Sequence, residues 1–350
     1  MSQYRYKVLV VDDSLLYRTL IRECLDSDSE LEVVGLAADP YEAREKIKKF
    51  NPDVITLDVE MPKMDGIQFL KNLMRLRPMP VIMVSTLTQH GADVTLTALE
   101  VGAVDYVPKP SLNLATAMIR EREELISKVK MAAQASVGHT NLWNKPPNVT
   151  IDRQHFNRSG YQVIGLGAST GGTEALRGIL ERLPKHMPPI VVTQHIKAAF
   201  CGPFAERLDR VCRLQVEAVT SDTVLLAQGR VYVAPGDRHL TVVNRQGHLY
   251  CQLSDSAPVE RHRPSVDVMF SSIAGSVGRQ SIGVILTGMG RDGATGLLKM
   301  RQAGALTAAQ DQASSVIWGM PRVAIERGGA AKTLCLTEVA NFLVEAIYGD

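Results

Sequence analysis

The sequence predicts an α/β protein built from two doubly wound parallel-sheet domains. Three observations predict it. Short apolar runs alternate with helical patterns through the first 130 residues. The same alternation resumes after residue 160. Between them lies a polar, aperiodic stretch carrying a proline pair. At 350 residues the chain is long enough for two separate cores.

In the first series the strands are Tyr6–Val11, Leu31–Leu36, Asp53–Leu57, Pro80–Ser85 and Ala103–Val107. Each is apolar at most positions, the pattern of a strand buried on both faces. Helical spacing fills the gaps, as in Asp65–Leu76. A fifth helix runs from about Leu112 to Lys130, with Arg120 to Glu124 as its exposed face. Five βα repeats imply a parallel sheet whose active groups gather where strands end. Residues from about Ala132 to Ser159 have no period and include Pro146-Pro147; they read as a linker, with Leu142 and Trp143 in it. The boundaries are then 5–125 for the first domain, 126–152 for the helix end and linker, and 153–347 for the second domain.

The second series opens at Val163-Ile-Gly-Leu-Gly-Ala-Ser-Thr-Gly-Gly172, with Ser169 central in a Gly-x-Ser-x-Gly turn. Thr173–Leu183 follows with helical spacing. Pro188–Thr193 is the next strand. Gly229–Val243 reads as strand, turn, strand, bent at Pro235-Gly-Asp237. Ser281–Leu286 is a further buried strand, running into Thr287-Gly-Met-Gly-Arg-Asp-Gly-Ala294 and a helix from Thr295 to Gln302.

Composition is that of a soluble globular protein. No apolar run approaches the roughly 18 residues that span a bilayer, and the first residues lack the layout of a secretory signal. The five cysteines are scattered and never in Cys-x-x-Cys spacing. They are expected to be idle thiols in a reducing cytoplasm. Net charge is +2, divided unevenly. Residues 1–130 carry 17 Lys and Arg against 20 Asp and Glu; residues 131–350 carry 22 against 17. The basic second half would suit an acidic partner. No compact helix-turn-helix with a basic recognition helix follows the linker, so a DNA-binding output is not expected.

Three carboxylates fall at two strand ends of the first domain. Asp12 and Asp13 follow the first strand, and Asp58 follows the third. A right-handed doubly wound sheet makes those strands neighbours. Three hard oxygen ligands at one edge suit Mg²⁺. Ser85 ends the fourth strand and Lys109 follows the fifth. A carboxylate beside a divalent metal, a hydroxyl and an ammonium makes a phosphoryl-accepting site. Any one Asp alone would read as a loop or helix-cap residue; five groups gathered at four strand ends carry the inference.

This half resembles the response-regulator receiver domain over nearly all of residues 5–125. The resemblance rests on Asp12-Asp13, on Asp58 with Met61-Pro-Lys-Met-Asp-Gly66, on Ser85-Thr86 and on Lys109-Pro110. It implies a flavodoxin-like fold and phosphorylation of Asp58 by a histidine kinase. It also implies Mg²⁺ held by Asp13 and Asp58 with help from Asp12, and phosphoryl contacts from Ser85 and Lys109. Tyr106 stands where receivers often carry an aromatic switch, and equally reads as a half-buried aromatic on an edge strand.

The Ser169 corner admits two readings. It is the geometry of a nucleophile elbow, and Gly165-x-Gly167 is also a loose dinucleotide fingerprint. A dinucleotide site needs an acid at the end of the second strand to hold the ribose. That strand ends in His195. If the two strands pair, Ser169 and His195 emerge on one edge about 5 Å apart, and the imidazole can serve as general base. Asp292 follows a further strand at the same kind of position and can orient the imidazole. Alone, Ser169 and Asp292 each read as helix caps and His195 as an ordinary strand-end residue. His186, His239, His248 and His262 compete as bases but lie in loop or hairpin contexts. Gly288-Met-Gly290 and the Thr170-Gly171 turn both offer N–H groups for an oxyanion, and Thr170 adds a hydroxyl or simply packs the turn.

Gly167-Ala-Ser-Thr-Gly-Gly172, Thr193-Gln-His195-Ile, Ala234-Pro-Gly-Asp237, Arg263-Pro-Ser-Val-Asp267 and Thr287-Gly-Met-Gly-x-Asp292-Gly together resemble the chemotaxis protein-glutamate methylesterase domain. The match covers about residues 153–347, and the full chain is similar to the chemotaxis response-regulator methylesterases, the CheB family. The resemblance implies a Rossmann-like second domain with an added β-hairpin, and a cytoplasmic enzyme that works beside membrane-bound receptors without inserting in the membrane. Its substrates would be glutamyl methyl esters and glutamines of methyl-accepting chemoreceptors, and its phosphodonor a chemotaxis histidine kinase. Ser169 would be the nucleophile, His195 the base and Asp292 its orienting acid. The Met289 N–H would help hold the oxyanion. Mg²⁺ would serve the receiver alone. The fusion itself suggests that an unphosphorylated receiver covers the Ser169 edge and that phosphorylation of Asp58 releases it. A non-enzymatic output module and a dinucleotide reductase are the alternatives; Ser169→Ala separates an enzyme from a binding module.

Overall fold

A computed structural model of the chain describes residues 4–59, 61, 65–85, 89–109, 115–137 and 160–349. The chain divides into two compact units, Met1–Thr140 and Asn141–Asp350. The stretch read as the linker, Leu142 and Trp143 included, lies mostly outside the described residues, as do Pro62 to Met64, Thr86 and Pro110.

The first unit runs β1 (Tyr6–Val11), α1 (Leu15–Asp26), β2 (Leu31–Ala37), α2 (Pro40–Phe50), β3 (Val54–Asp58), α3 (Gly66–Leu76), β4 (Val81–Ser85), α4 (Gln89–Val101), β5 (Asp105–Pro108) and α5 (Ala115–Ala133). The strands pair in parallel in the order β2-β1-β3-β4-β5. Every residue of β3 and β4 is buried, as helices on both faces of a sheet require. The helix starts follow local chemistry. Asp39 caps α2 by accepting from the Tyr41 and Glu42 N–H groups, with Pro40 at the first helical position. Asp65 caps α3 through the Gln68 N–H at 2.6 Å.

The second unit runs β6 (Val163–Ala168), α6 (Gly172–Leu180), β7 (Ile190–Gln194), α7 (Ala198–Val211), β8 (Gln215–Ala218), β9 (Thr223–Leu225), β10 (Arg230–Val233), β11 (His239–Arg245), β12 (His248–Ser254), α8 (Val266–Ser276), β13 (Ser281–Ile285), α9 (Ala294–Gln302), β14 (Leu306–Gln310), α10 (Met320–Glu326), β15 (Lys332–Leu334) and α11 (Val339–Tyr348). A seven-stranded sheet has the order β15-β14-β13-β6-β7-β10-β8, with every pairing parallel. From β6 the chain winds outward through β7 to β10 and β8. It then returns to the other side of β6 for β13, β14 and β15. The reversal lies between β6 and β13, and an open α/β sheet presents its crevice at that point, beyond the strands' carboxyl ends.

The two strands read within Gly229–Val243 both form, but they do not pair with each other. β10 joins the parallel sheet, whereas β11 pairs antiparallel with β12, which in turn pairs with β9. The added hairpin is therefore β11–β12, turning at Gln246-Gly247, and it belongs to a separate three-stranded sheet. Helix α8 joins the two layers. Val266, Met269, Phe270 and Ile273 are fully buried in one core cluster with Val163 of β6, Val191 of β7, and Leu240 and Val242 of β11. Ser272 and Ser276 of α8 bond the Val242 N–H and C=O at 2.8 and 2.7 Å. A helix enclosed on two sides is apolar on two sides and shows little 3.6-residue periodicity.

Candidate functional site

In the first unit the expected groups converge. β1 and β3 are adjacent in register, Val11 opposite Leu57, so Asp12 and Asp58 leave neighbouring strand ends. One carboxylate oxygen from each of Asp12, Asp13 and Asp58 lies within 4.8 Å of the others. Lys109 donates to Asp58 Oδ2 at 2.8 Å. Its Nζ also stands 3.2 Å from Asp12 Oδ2, an ion pair outside hydrogen-bond geometry. The Lys109 N–H bonds Ser85 C=O at 2.8 Å, which ties the ends of β4 and β5 together.

Burial pushes the Asp12 carboxyl above its ordinary range, against the pull of Lys109 and the Ser14 N–H. Burial pulls the Lys109 ammonium down, but the hydrogen bond and charge of Asp58, then Asp12, outweigh it and hold it above its usual value. Three hard oxygen donors, with Asp12 Oδ2 buried and lacking a hydrogen bond and Asp13 exposed to solvent, fit a divalent cation such as Mg²⁺. Tyr106 is buried on the edge strand β5, with the Lys128 ammonium 4.9 Å from its ring centroid.

In the second unit the site lies at the carboxyl edge around the β6–β13 reversal. β6 and β7 pair through Ala168 opposite Gln194, and the His195 N–H bonds Ala168 C=O at 3.1 Å. Ser169 and His195 are thus the next residues beyond two paired strand ends, as the strand arithmetic requires. On the other flank the Ser169 N–H bonds Thr287 C=O at 3.0 Å, just beyond β13. Thr287 Oγ1 bonds Thr170 C=O at 3.0 Å. Gly171 takes φ = 76°, in the left-handed region that glycine adopts without strain. That residue turns strand into helix and leaves Ser169 at the corner, 8 % exposed.

His195 Nε2 lies 2.8 Å from Asp292 Oδ2. Asp292 is 1 % exposed and accepts three more hydrogen bonds, from Ser265 Oγ at 2.7 Å, Val266 N–H at 2.7 Å and Asp267 N–H at 3.0 Å. Ser265 is the N-cap of α8, so this carboxylate sits on the positive end of a helix. Burial alone would raise its pKa. The His195 hydrogen bond and charge, the Ser265 hydroxyl and the Asp267 N–H outweigh burial and hold it below the usual carboxylate value. With Nε2–H given to Asp292, the lone pair of His195 lies on Nδ1. That atom is buried and has no hydrogen-bond partner among the described residues.

The plain cap readings of Ser169 and Asp292 fail. The N-caps of α6 and α9 are Gly171 and Gly293, both left-handed, with no side-chain cap bond in either case. The glycines of the loose dinucleotide fingerprint have a packing reason. A Cβ on Gly167 would meet Val266 Cγ1 at 2.2 Å, and one on Gly165 would meet Ile273 Cδ1 at 2.8 Å. They let α8 lie directly on β6, and this brings its N-terminus to Asp292. Met289 lies on the turn after β13, 39 % exposed, followed by Gly290 at φ = 83°.

Two histidines that sequence reasoning left in loop or hairpin contexts belong to this region. His262 stacks on His195 with ring centroids 3.8 Å apart and planes 7° from parallel. Buried His239 accepts the Ser265 N–H on Nδ1 at 3.1 Å and contacts Ala257 C=O through Nε2 at 3.1 Å. It fixes the residue that caps α8 and holds Asp292. His262 lies in a loop without periodicity, and His239 opens β11, where strand alternation marks burial but no role. Buried Cys201 and half-buried Cys212 have no such setting: desolvation pushes both up to about 12, far from a thiolate at neutral pH.

Comparison with known proteins gives two family-model matches, the response regulator receiver domain over residues 8–120 and CheB methylesterase over residues 164–343. A protein-glutamate methylesterase/protein-glutamine glutaminase of Vibrio vulnificus is 55 % identical over 347 residues, covering 99 % of this chain and 100 % of the relative. One of the same name from Caulobacter vibrioides is 52 % identical over 342 residues, covering 97 % and 98 %. The crystal structure of the Thermotoga maritima CheB methylesterase catalytic domain superposes with a TM-score of 0.51 at 36 % identity, covering 53 % of this chain and 98 % of that one.

Proposed function

The chain belongs to the CheB methylesterase family, and from that membership we propose that it hydrolyses γ-glutamyl methyl esters, and deamidates glutamines, on methyl-accepting chemoreceptors through Ser169, His195 and Asp292. One observation carries the site assignment. Ser169 and His195 extend two strand ends paired in register, and the imidazole of His195 is already bonded to a buried, ionised Asp292 at 2.8 Å.

The chemistry follows from the proton positions. As Ser169 Oγ attacks the side-chain acyl carbon, its proton passes to His195 Nδ1, the nitrogen with the lone pair. The usual serine triad uses Nε2 for the serine and Nδ1 for the acid; here the two nitrogens exchange roles, because Asp292 approaches Nε2. The imidazolium then faces the Asp292 carboxylate, whose charge balances it. The oxyanion is held by the Met289 N–H, with Thr170 as support. Nδ1–H next protonates the leaving group, which departs as methanol from an ester or ammonia from an amide. Water attacks the glutamyl-Ser169 ester, gives its proton to Nδ1, and the proton returns to Ser169 Oγ as the free glutamate leaves.

The receiver supplies control. Asp58 is the phosphoryl acceptor for a chemotaxis histidine kinase, Lys109 and Ser85 contact the phosphoryl group, and Asp12, Asp13 and Asp58 would hold Mg²⁺. A cation held there would supply charge to offset that of the transferring phosphoryl group. The setting is the cytoplasm, beside membrane-bound receptors; among the described residues no helix is long and apolar enough to cross a membrane. Labelling the intact chain with a fluorophosphonate and mapping the modified peptide tests the assignment. Modification at Ser169 is expected; modification elsewhere would overturn it.

A further inference from the structure

We propose that His262 is a positioning residue for the catalytic base: its ring, lying flat on His195, holds the His195 imidazole in the plane from which Nδ1 can take the Ser169 proton. This rests on the triad reading above. The two rings form a parallel stack, 3.8 Å between centroids and 7° between planes. His195 needs such a restraint. The χ2 torsion of a histidine is broad, and the single hydrogen bond at Nε2 pins only one edge of the ring. Rocking about that edge displaces Nδ1 out of plane, and Nδ1 has no hydrogen bond of its own to resist it. A flat ring at van der Waals distance opposes this motion.

The backbone that delivers His262 is built for the purpose. Glu260 and Arg261, the two residues before it, both take left-handed conformations, at φ = 48° and 68°. Neither is glycine, the residue that takes such conformations without strain. The turn is closed by reciprocal backbone bonds between Val259 and His262, at 3.0 and 2.8 Å. It is tied to the triad's own scaffold at two points. Glu260 Oε2 accepts from Arg291 Nε at 2.7 Å, one residue before Asp292. Downstream, Ser265 donates to Asp292 at 2.7 Å. The stacked ring and the orienting carboxylate are therefore anchored to the same short segment of chain.

The test measures methanol release from a methylated chemoreceptor by the full-length chain and by His262→Ala, His262→Phe, His262→Leu and Ser169→Ala. His262→Ala and His262→Leu are expected to lower kcat by tenfold or more, approaching the roughly 100-fold that about 1 Å of misplacement costs. KM should stay near the wild-type value. His262→Phe keeps a flat ring and should recover most of kcat. In ¹⁵N spectra, His195 should show one Nε2-protonated form in the wild type and the Phe variant, and averaged ring nitrogens in the Ala variant. Rescue by Leu as well as by Phe would overturn the proposal, making His262 a space filler. So would a loss confined to KM, or unchanged kcat in the Ala variant. If the Ala variant fails to fold, the Phe–Leu contrast decides. Activity in Ser169→Ala would sink the triad reading and this proposal together; a silent Ser169→Ala beside a fully active His262→Ala would sink this proposal alone.

Discussion

Replacing Asp292 by asparagine removes one negative charge and almost no volume, and its four hydrogen bonds set the consequence. Oδ1 accepts from Ser265 Oγ and Asp267 N–H; Oδ2 accepts from Val266 N–H and His195 Nε2. An amide offers one acceptor oxygen and one NH₂ donor. With NH₂ in the Oδ2 position, Val266 N–H faces a donor, and His195 must accept at Nε2. Its proton then moves to Nδ1 and the base is lost. With NH₂ in the Oδ1 position, the Ser265 hydroxyl can turn to accept, but Asp267 N–H faces a donor. Each orientation strands one buried backbone N–H, at about 1–3 kcal/mol, and each removes the charge that balances the imidazolium.

Tautomer inversion of this kind costs a serine triad about 10⁴ in kcat. The expected loss here is about 10³–10⁴, roughly 4–5.5 kcal/mol of barrier, with KM little changed. Asp292 has its pKa depressed in the fold, so its stabilising contribution is present above the unfolded value of 3.8 and fades as pH falls through its folded value. The stability gap between wild type and variant should be level from about pH 5 to 8 and close below about pH 4. Methanol-release kinetics and urea midpoints measure both effects. A kcat loss under tenfold, or lost stability with intact kcat, would refute the tautomer account.

Three further outcomes are expected. Gly171→Ala puts a Cβ 2.7 Å from Val316 Cβ at φ = 76°; the left-handed cost alone is about 1–2 kcal/mol, so the melting midpoint should fall and kcat drop at least tenfold, and a wild-type kcat would show that the corner does not aim Ser169. Asp12→Asn should abolish the rise in melting midpoint that saturating Mg²⁺ gives the wild type, a rise worth about 2.7 kcal/mol at 100 times Kd; an equal rise in the variant would remove Asp12 from the metal site. Deletion of residues 1–140 should raise the esterase rate above that of the unphosphorylated full chain, and a rate no higher would exclude simple occlusion by the receiver.

Much of this was legible in the sequence because parallel sheets write themselves plainly. β1, β3, β4 and β5 are mostly apolar runs closed by a polar or charged residue, and Asp12, Asp58, Ser85 and Lys109 stand at those ends. The same arithmetic reached His195, since two successive strands of a βα unit pair as neighbours. It failed where no period exists. Helix α8 is apolar toward two layers, so its register carries no amphipathic signal, and Ser265 was recognisable only as part of a family motif. His262 sits on a loop, where position in space is set by backbone conformations such as those of Glu260 and Arg261, and His239 opens β11, whose partner strand the sequence did not reveal. Pro235-Gly-Asp237 was legible as a bend, but a bend does not reveal that its two strands enter different sheets.

Gly165 and Gly167 show how a motif can be read correctly as important and wrongly as to cause. Both readings of the corner assigned its glycines to the turn or to a phosphate. In the fold, Gly167 serves a helix that arrives about 100 residues later in the chain. Any side chain there meets Val266, the first residue of α8. Displacing Val266 removes one of the N–H groups on Asp292 and shifts Ser265 with it. The charge on Asp292, and so the polarity of His195, then depends on a residue that touches no reacting atom. A triad is commonly described by three side chains; here its acid is held ionised first by His195 and then by a helix end, and the helix end is admitted by a missing Cβ.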